Sequence, residues 1–209
     1  MSTSFKISRF FAQTISVLLH PMLMPTYGLL AIFIGNNSML VLPYDAKRII
    51  LIIVAINTLA LPMLIIPLFN RMGIIKSIQM HEHRERIIPL AFTLVPYIFS
   101  FYFLKRLPIL NEVSLFMLGA SVTLAIALMV SIWWKISLHM MGIGGLVGLF
   151  FALSTRFYFD VTWYFIAAVV VAGLVAWARL VLSTHKPSQV YTGFILGWIS
   201  VSASILLLS

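Results

Sequence analysis

Apolar runs long enough to cross a membrane follow one another along this chain almost without pause, and they leave room for little else. Spans are read at about 17–35, 48–69, 88–104, 113–134, 138–155, 161–182 and 189–208. A helix rises 1.5 Å per residue, so about 20 apolar residues match a hydrocarbon core of about 30 Å. In lipid every backbone polar group must find a partner inside the protein, which favours helices for segments of this length. With 62% hydrophobic and 9% charged residues among 209, the expected fold class is all-α. The expected architecture is a polytopic integral membrane bundle of about seven transmembrane helices, in a single membrane domain over residues 1–209.

The charged residues are few enough to be read singly. Acids are limited to Asp45, Glu82, Glu85, Glu112 and Asp160, which leaves a net charge of +9. On a membrane protein such an excess points to lipid headgroups and loop topology rather than to nucleic acid. Cysteine is absent, so disulfides and thiolate metal sites do not apply. The N-terminal stretch with Lys6 and Arg9 resembles a signal peptide, but it has no small-residue cleavage site and runs into His20-Pro21. It is read as a mature interfacial helix over 4–16. His20, beside two prolines of the first span (Pro21 and Pro25), is read as a structural histidine.

Three polar stretches interrupt the apolar pattern in ways that bear on function. Residues 70–87, NRMGIIKSIQMHEHRERI, follow the second span; Trp133-Trp134-Lys135, an interfacial anchor, ends the fourth; Arg179 ends the sixth, with His185 six residues on. Each follows an even-numbered span, so all three emerge on one side of the membrane, as parts of one composite site would. Lys135, Ser137 and His139 stand together at a helix start, where a hydroxyl, backbone N–H groups and a cation can cradle a phosphate. Arg84 and Arg86 can fork onto phosphate oxygens. His185 lies just ahead of the last span, whose N-terminal N–H groups favour an anion. Gly144 and Gly148 in the fifth span, and Gly193 and Gly197 in the seventh, supply small-residue faces for close helix packing.

The stretch Ala178-Arg179, five residues, His185, three residues, Gln189 resembles the third signature of the type 2 phosphatidic acid phosphatase family, SR-x5-H-x3-D. Ser137 and His139 fall at the serine and histidine positions of the second signature, PSGH. The first, K-x6-RP, is echoed by Arg84, Arg86 and Pro89, with Lys76 upstream at a different spacing. The resemblance covers about 110 residues, from Arg84 to Gly197.

It implies a lipid phosphate or diphosphate phosphatase without cofactor or metal, with lipid phosphate as substrate partner, undecaprenyl diphosphate among the options, and no nucleic acid. His185 would be the nucleophile forming a phosphohistidine and His139 the proton donor to the leaving oxygen. Arg179, Arg84, Arg86, Ser137 and Lys135 would bind phosphate. Relatives place the site on the outer face of a bacterial cytoplasmic membrane. In this chain the basic residues outside the site and its neighbour Lys186 divide four (Lys6, Arg9, Arg71, Lys76) against five (Lys47, Arg48, Lys105, Arg106, Arg156), which sets no orientation.

The chain departs from the signature at Ala178 and, more consequentially, at Gln189, where the family has an acid that activates the histidine. Gln189 is expected to accept a hydrogen bond from His185 through its amide oxygen, with Glu85 as the candidate source of the missing carboxylate (Glu82 being the other). The alternative function is a catalytically weak or inactive relative that binds or transports an anionic lipid headgroup. A metal site built from His81, Glu82, His83, His139 and His185 is disfavoured by the arginines around it, and no aspartate-rich motif is present for prenyl transfer.

Overall fold

The structure is a computed structural model that describes residues 3–34, 42–80, 82–109, 111–156 and 160–209. It is all-helical among the described residues, with helices α1 (Thr3–Leu18), α2 (Met24–Ile34), α3 (Tyr44–Ala55), α4 (Leu61–Arg71), α5 (Ile87–Lys105), α6 (Asn111–Val130), α7 (Leu138–Arg156), α8 (Thr162–Val181) and α9 (Pro187–Leu208). A 3₁₀ turn at Pro21–Leu23 joins α1 to α2, and a π turn at Ile56–Ala60 joins α3 to α4. Among the described residues seven helical stretches are thereby long and apolar enough to span a membrane: Lys6–Ile34, Tyr44–Arg71, Arg84–Lys105, Asn111–Val130, Leu138–Thr155, Thr162–Val181 and Pro187–Leu208. Much of the connection between the first two spans, residues 35–41, and His81 lie outside the described residues.

The interruptions follow from proline chemistry. Pro62 has no N–H to return to the preceding turn, and the helix widens before it: Leu61 N–H reaches back five residues to the Ile56 carbonyl. Pro21 pushes the residue before it out of the helical region, and His20 is accordingly extended at φ −66° and ψ 138°. Several serine and threonine hydroxyls inside the bundle bond to carbonyls one turn back on their own helices, as Thr93 does to Pro89 at 2.7 Å and Ser121 to Met117 at 2.8 Å. Each is thus satisfied without water.

Helices α7 and α9 form the closest pair, and the two glycine faces meet there. A Cβ added at Gly197 would collide with the Met141 carbonyl, and one at Gly144 with the Phe194 carbonyl. Backbone packs on backbone here, the geometry small residues permit when no water is available to drive apolar association. This contact sets the register of the site, because Ser137, just before α7, donates its N–H to the Gln189 carbonyl at the start of α9 at 3.4 Å. Gly197→Ala is expected to destabilise the folded protein by about 1–3 kcal/mol through overpacking. The check is thermal unfolding in detergent; an unchanged midpoint would contradict the close approach.

Candidate active site

Four chain breaks come together at one end of the bundle: the His20 kink, the 72–86 loop, the 131–137 connection and the α8–α9 turn. They border a cavity of about 930 Å³ whose walls include His20, Arg86, Lys135, His139, Arg179 and His185. Among the described residues no Asp or Glu lines it. Farther in, the walls become apolar, with Leu59, Met63, Phe116 and Val201 drawn from three different spans.

Arg86 closes the 3₁₀ turn Arg84–Arg86 and is 8% exposed. Its Nη1 donates to the Ile136 carbonyl at 2.9 Å and its Nε to the Met80 carbonyl at 3.4 Å, tying the polar loop to the connection before α7. His83 adds a second tie, Nδ1 to the Ser131 carbonyl at 2.8 Å. Lys135 stands nearby, its pKa held below the ordinary lysine value by burial and by the charge of Arg86.

Arg179, on the last turn of α8, is 7% exposed. Its Nη2 donates to the Ser16 hydroxyl, and its Nε is buried with no partner among the described residues. A buried guanidinium that lines a cavity with no Asp or Glu among its described lining residues is arranged for an anion.

His185 sits in the turn between α8 and α9. Its Nδ1 lies 3.1 Å from Gln189 Oε1, which also accepts from the Lys186 backbone N–H at 3.1 Å. The i, i+4 spacing at a helix start brings the two side chains together, and the proline at the first position of α9 costs no hydrogen bond there. An amide oxygen only accepts, so the ring proton resides on Nδ1 and Nε2 keeps its lone pair. Burial, chiefly, and the charge of Arg86 push the His185 pKa down to about 4, while the Gln189 bond works in the opposite direction. The ring is therefore neutral at physiological pH.

His139, in the first turn of α7, places Nε2 3.1 Å from the Ser16 carbonyl, and its ring meets that of His20 edge-to-face with centroids 5.2 Å apart. Ser137 is fully buried, and its carbonyl accepts the Met141 N–H as the cap of α7. Its hydroxyl has no partner among the described residues, and it lies behind the cavity wall rather than on it.

Of the residues read from sequence, His185, His139, Arg179, Arg86 and Lys135 meet at the cavity, and Gln189 stands behind His185 as its partner. Arg84 and Glu85 do not join them. Arg84 is exposed, Glu85 is half-buried with Oε2 unpartnered, and neither lines the cavity. A 3₁₀ turn advances about 120° per residue, so when Arg86 faces inward its two predecessors face elsewhere. Glu85 is thus no substitute for the missing acid; the group at His185 is the amide of Gln189. His20, read as a structural histidine, lines the cavity, and Ser16 contacts two site residues. The signal for both was the His20-Pro21 pair, which stops a helix where its last carbonyls can be used. Among the described residues no three His, Cys, Asp or Glu side chains gather as a metal would need. His83 and Glu82 are engaged elsewhere, Glu82 in an exposed 3.4 Å ion pair with Lys76.

Residues 131–208 match the PAP2 superfamily. That stretch begins at the end of α6 and takes in Lys135, Ser137, His139, Arg179, His185 and Gln189. A search of curated proteins gives no match, and a search of solved structures gives none. Residues 131–208 are thus similar to the PAP2 superfamily, and the seven apolar helices among the described residues mark the chain as an integral membrane protein.

Proposed function

We propose that the protein is a membrane-embedded phosphatase of lipid phosphates or diphosphates that works through a phosphohistidine on His185 without a metal. The observation that carries this reading is the His185–Gln189 contact beside Arg86, Lys135 and Arg179, because it supplies a neutral imidazole with a free Nε2 among cations. Nε2 attacks phosphorus, the N–P bond forms, and the P–O bond to the lipid breaks. His139 in its protonated form gives a proton to the leaving oxygen and, once neutral, takes one from the water that attacks the phosphohistidine. The cations offset the charge on the phosphoryl oxygens as it redistributes in the transition state. The apolar depth of the cavity suits the tail of a lipid whose headgroup rests at the cation cluster.

Phosphate release from a panel of lipid mono- and diphosphates, in detergent with and without EDTA, tests the reading. Activity on one or more of them that survives EDTA is expected; silence across the panel, or loss with EDTA, contradicts it. The second reading, headgroup binding with little turnover, draws on Gln189 alone, since an amide cannot stabilise the imidazolium with a full charge.

The pH profile follows from the state of His185. Its nucleophilic form is the neutral ring, present above the folded-state pKa and lost as pH falls through it. The acid limb of kcat/KM is expected near pH 4. A limb at the ordinary histidine value of about 6.5 would contradict the buried, cation-flanked environment.

A further inference from the structure

Helix α1 lies outside the stretch that matches the family, yet one of its residues touches two members of the site. Ser16 is buried, on a helix that packs along α8. Its hydroxyl donates to the Ala12 carbonyl at 2.6 Å, which leaves its lone pairs to accept from Arg179 Nη2. Its own carbonyl accepts from His139 Nε2 at 3.1 Å. That carbonyl is available because α1 ends there: the last helical bond runs from Leu19 N–H to the Ile15 carbonyl, and Pro21 holds His20 in extended backbone. Carbonyls released at a helix end in an apolar bundle need donors. Side chains from elsewhere supply them, His139 to Ser16 and the Tyr27 hydroxyl to Leu18 at 2.9 Å.

We propose that Ser16 is a positioning residue of the site, its hydroxyl fixing the guanidinium of Arg179 and its carbonyl fixing the ring of His139. The inference rests on the phosphatase reading for the roles of those two residues. A neutral hydroxyl suits the task. It orients Arg179 without cancelling its charge, as a carboxylate would. The carbonyl accepts only, so it keeps the His139 proton on Nε2 and leaves Nδ1 as the atom that gains and gives the second proton. Helix α1 therefore completes a centre whose other parts lie in the 3₁₀ turn before α5, the start of α7 and the α8–α9 turn.

The test uses the full chain in detergent with Ser16→Ala, Ser16→Cys and Ser16→Thr. Two quantities are read: kcat and KM on a lipid phosphate that the wild type hydrolyses, and orthovanadate binding followed by thermal shift. Ser16→Ala and Ser16→Cys are expected to weaken vanadate binding and lower kcat/KM by about 10- to 100-fold, the loss associated with a hydrogen bond to a charged group. Ser16→Thr, which keeps the hydroxyl, is expected to stay within about threefold on both. A purely structural serine would lower the unliganded midpoint and leave vanadate affinity alone. Wild-type affinity and kcat/KM in Ser16→Ala would overturn the proposal, as would a Ser16→Thr protein as impaired as Ser16→Ala. Should Ser16→Ala fail to fold, the Cys and Thr pair decides. Wild-type turnover in His185→Ala would instead sink the phosphohistidine on His185, and vanadate binding would still decide the role of Ser16.

Discussion

Replacing His185 with alanine is expected to lower phosphate release by about 10⁴-fold or more, with the protein still folded and still able to bind an anion. The magnitude is that of removing a nucleophile from a covalent mechanism, where what remains comes from binding and electrostatic stabilisation. Folding should survive because the imidazole is in the α8–α9 turn, not the glycine contact between α7 and α9. Its side chain bonds to Gln189, which keeps the Lys186 N–H as a donor when the ring is gone. Anion binding should survive because the two arginines are anchored independently of His185, Arg86 by two backbone carbonyls and Arg179 by the Ser16 hydroxyl. A variant that retains even a tenth of the wild-type rate would require a different nucleophile.

The second large effect concerns Gln189. Gln189→Leu removes the acceptor that holds the proton of His185 on Nδ1, and with it the partner of the Lys186 N–H. The neutral ring is then able to place its proton on Nε2, the atom needed for attack, and to turn out of line. A loss of about 10²- to 10⁴-fold in kcat is expected, by comparison with other enzymes in which the orienting partner of a catalytic histidine is changed. Gln189→Glu keeps the length of the side chain and adds a charge. Its carboxylate favours the imidazolium, so the folded-state pKa of His185 rises from about 4 and the acid limb of kcat/KM moves to higher pH. The rate well above that limb should also rise, because the carboxylate stabilises positive charge on the ring as the N–P bond forms. A Gln189→Leu protein with the wild-type rate would show that the 3.1 Å contact has no part in turnover.

These two residues also show what was legible in the sequence. The i, i+4 spacing of His185 and Gln189 at a helix start predicts their contact directly, and the even-numbered spans predict that Lys135, Arg179 and the polar loop share a face. The facing glycines were visible as two small-residue patterns, although which helices they would join was not. Arg84 and Arg86 could not be separated by residue type, because the choice depends on the phase of a single 3₁₀ turn and on the carbonyls of Met80 and Ile136. Glu85 looked available for the same reason and lies on the wrong side of that turn. The contacts of Ser16 were beyond a local reading, since they join residues 123 and 163 positions apart. Only the helix stop at Pro21 hinted that carbonyls would be exposed there.

The phosphoryl-enzyme itself gives the most direct measurement of the central claim. Wild-type protein turning over a lipid phosphate in EDTA would be quenched under alkaline conditions, which preserve phosphohistidine, then digested and mapped by mass spectrometry. The account predicts a phosphoryl group on His185 that appears within the first turnover and disappears when substrate is exhausted. Steady turnover with the phosphoryl group on another residue, or with none formed at any quench time, would contradict it.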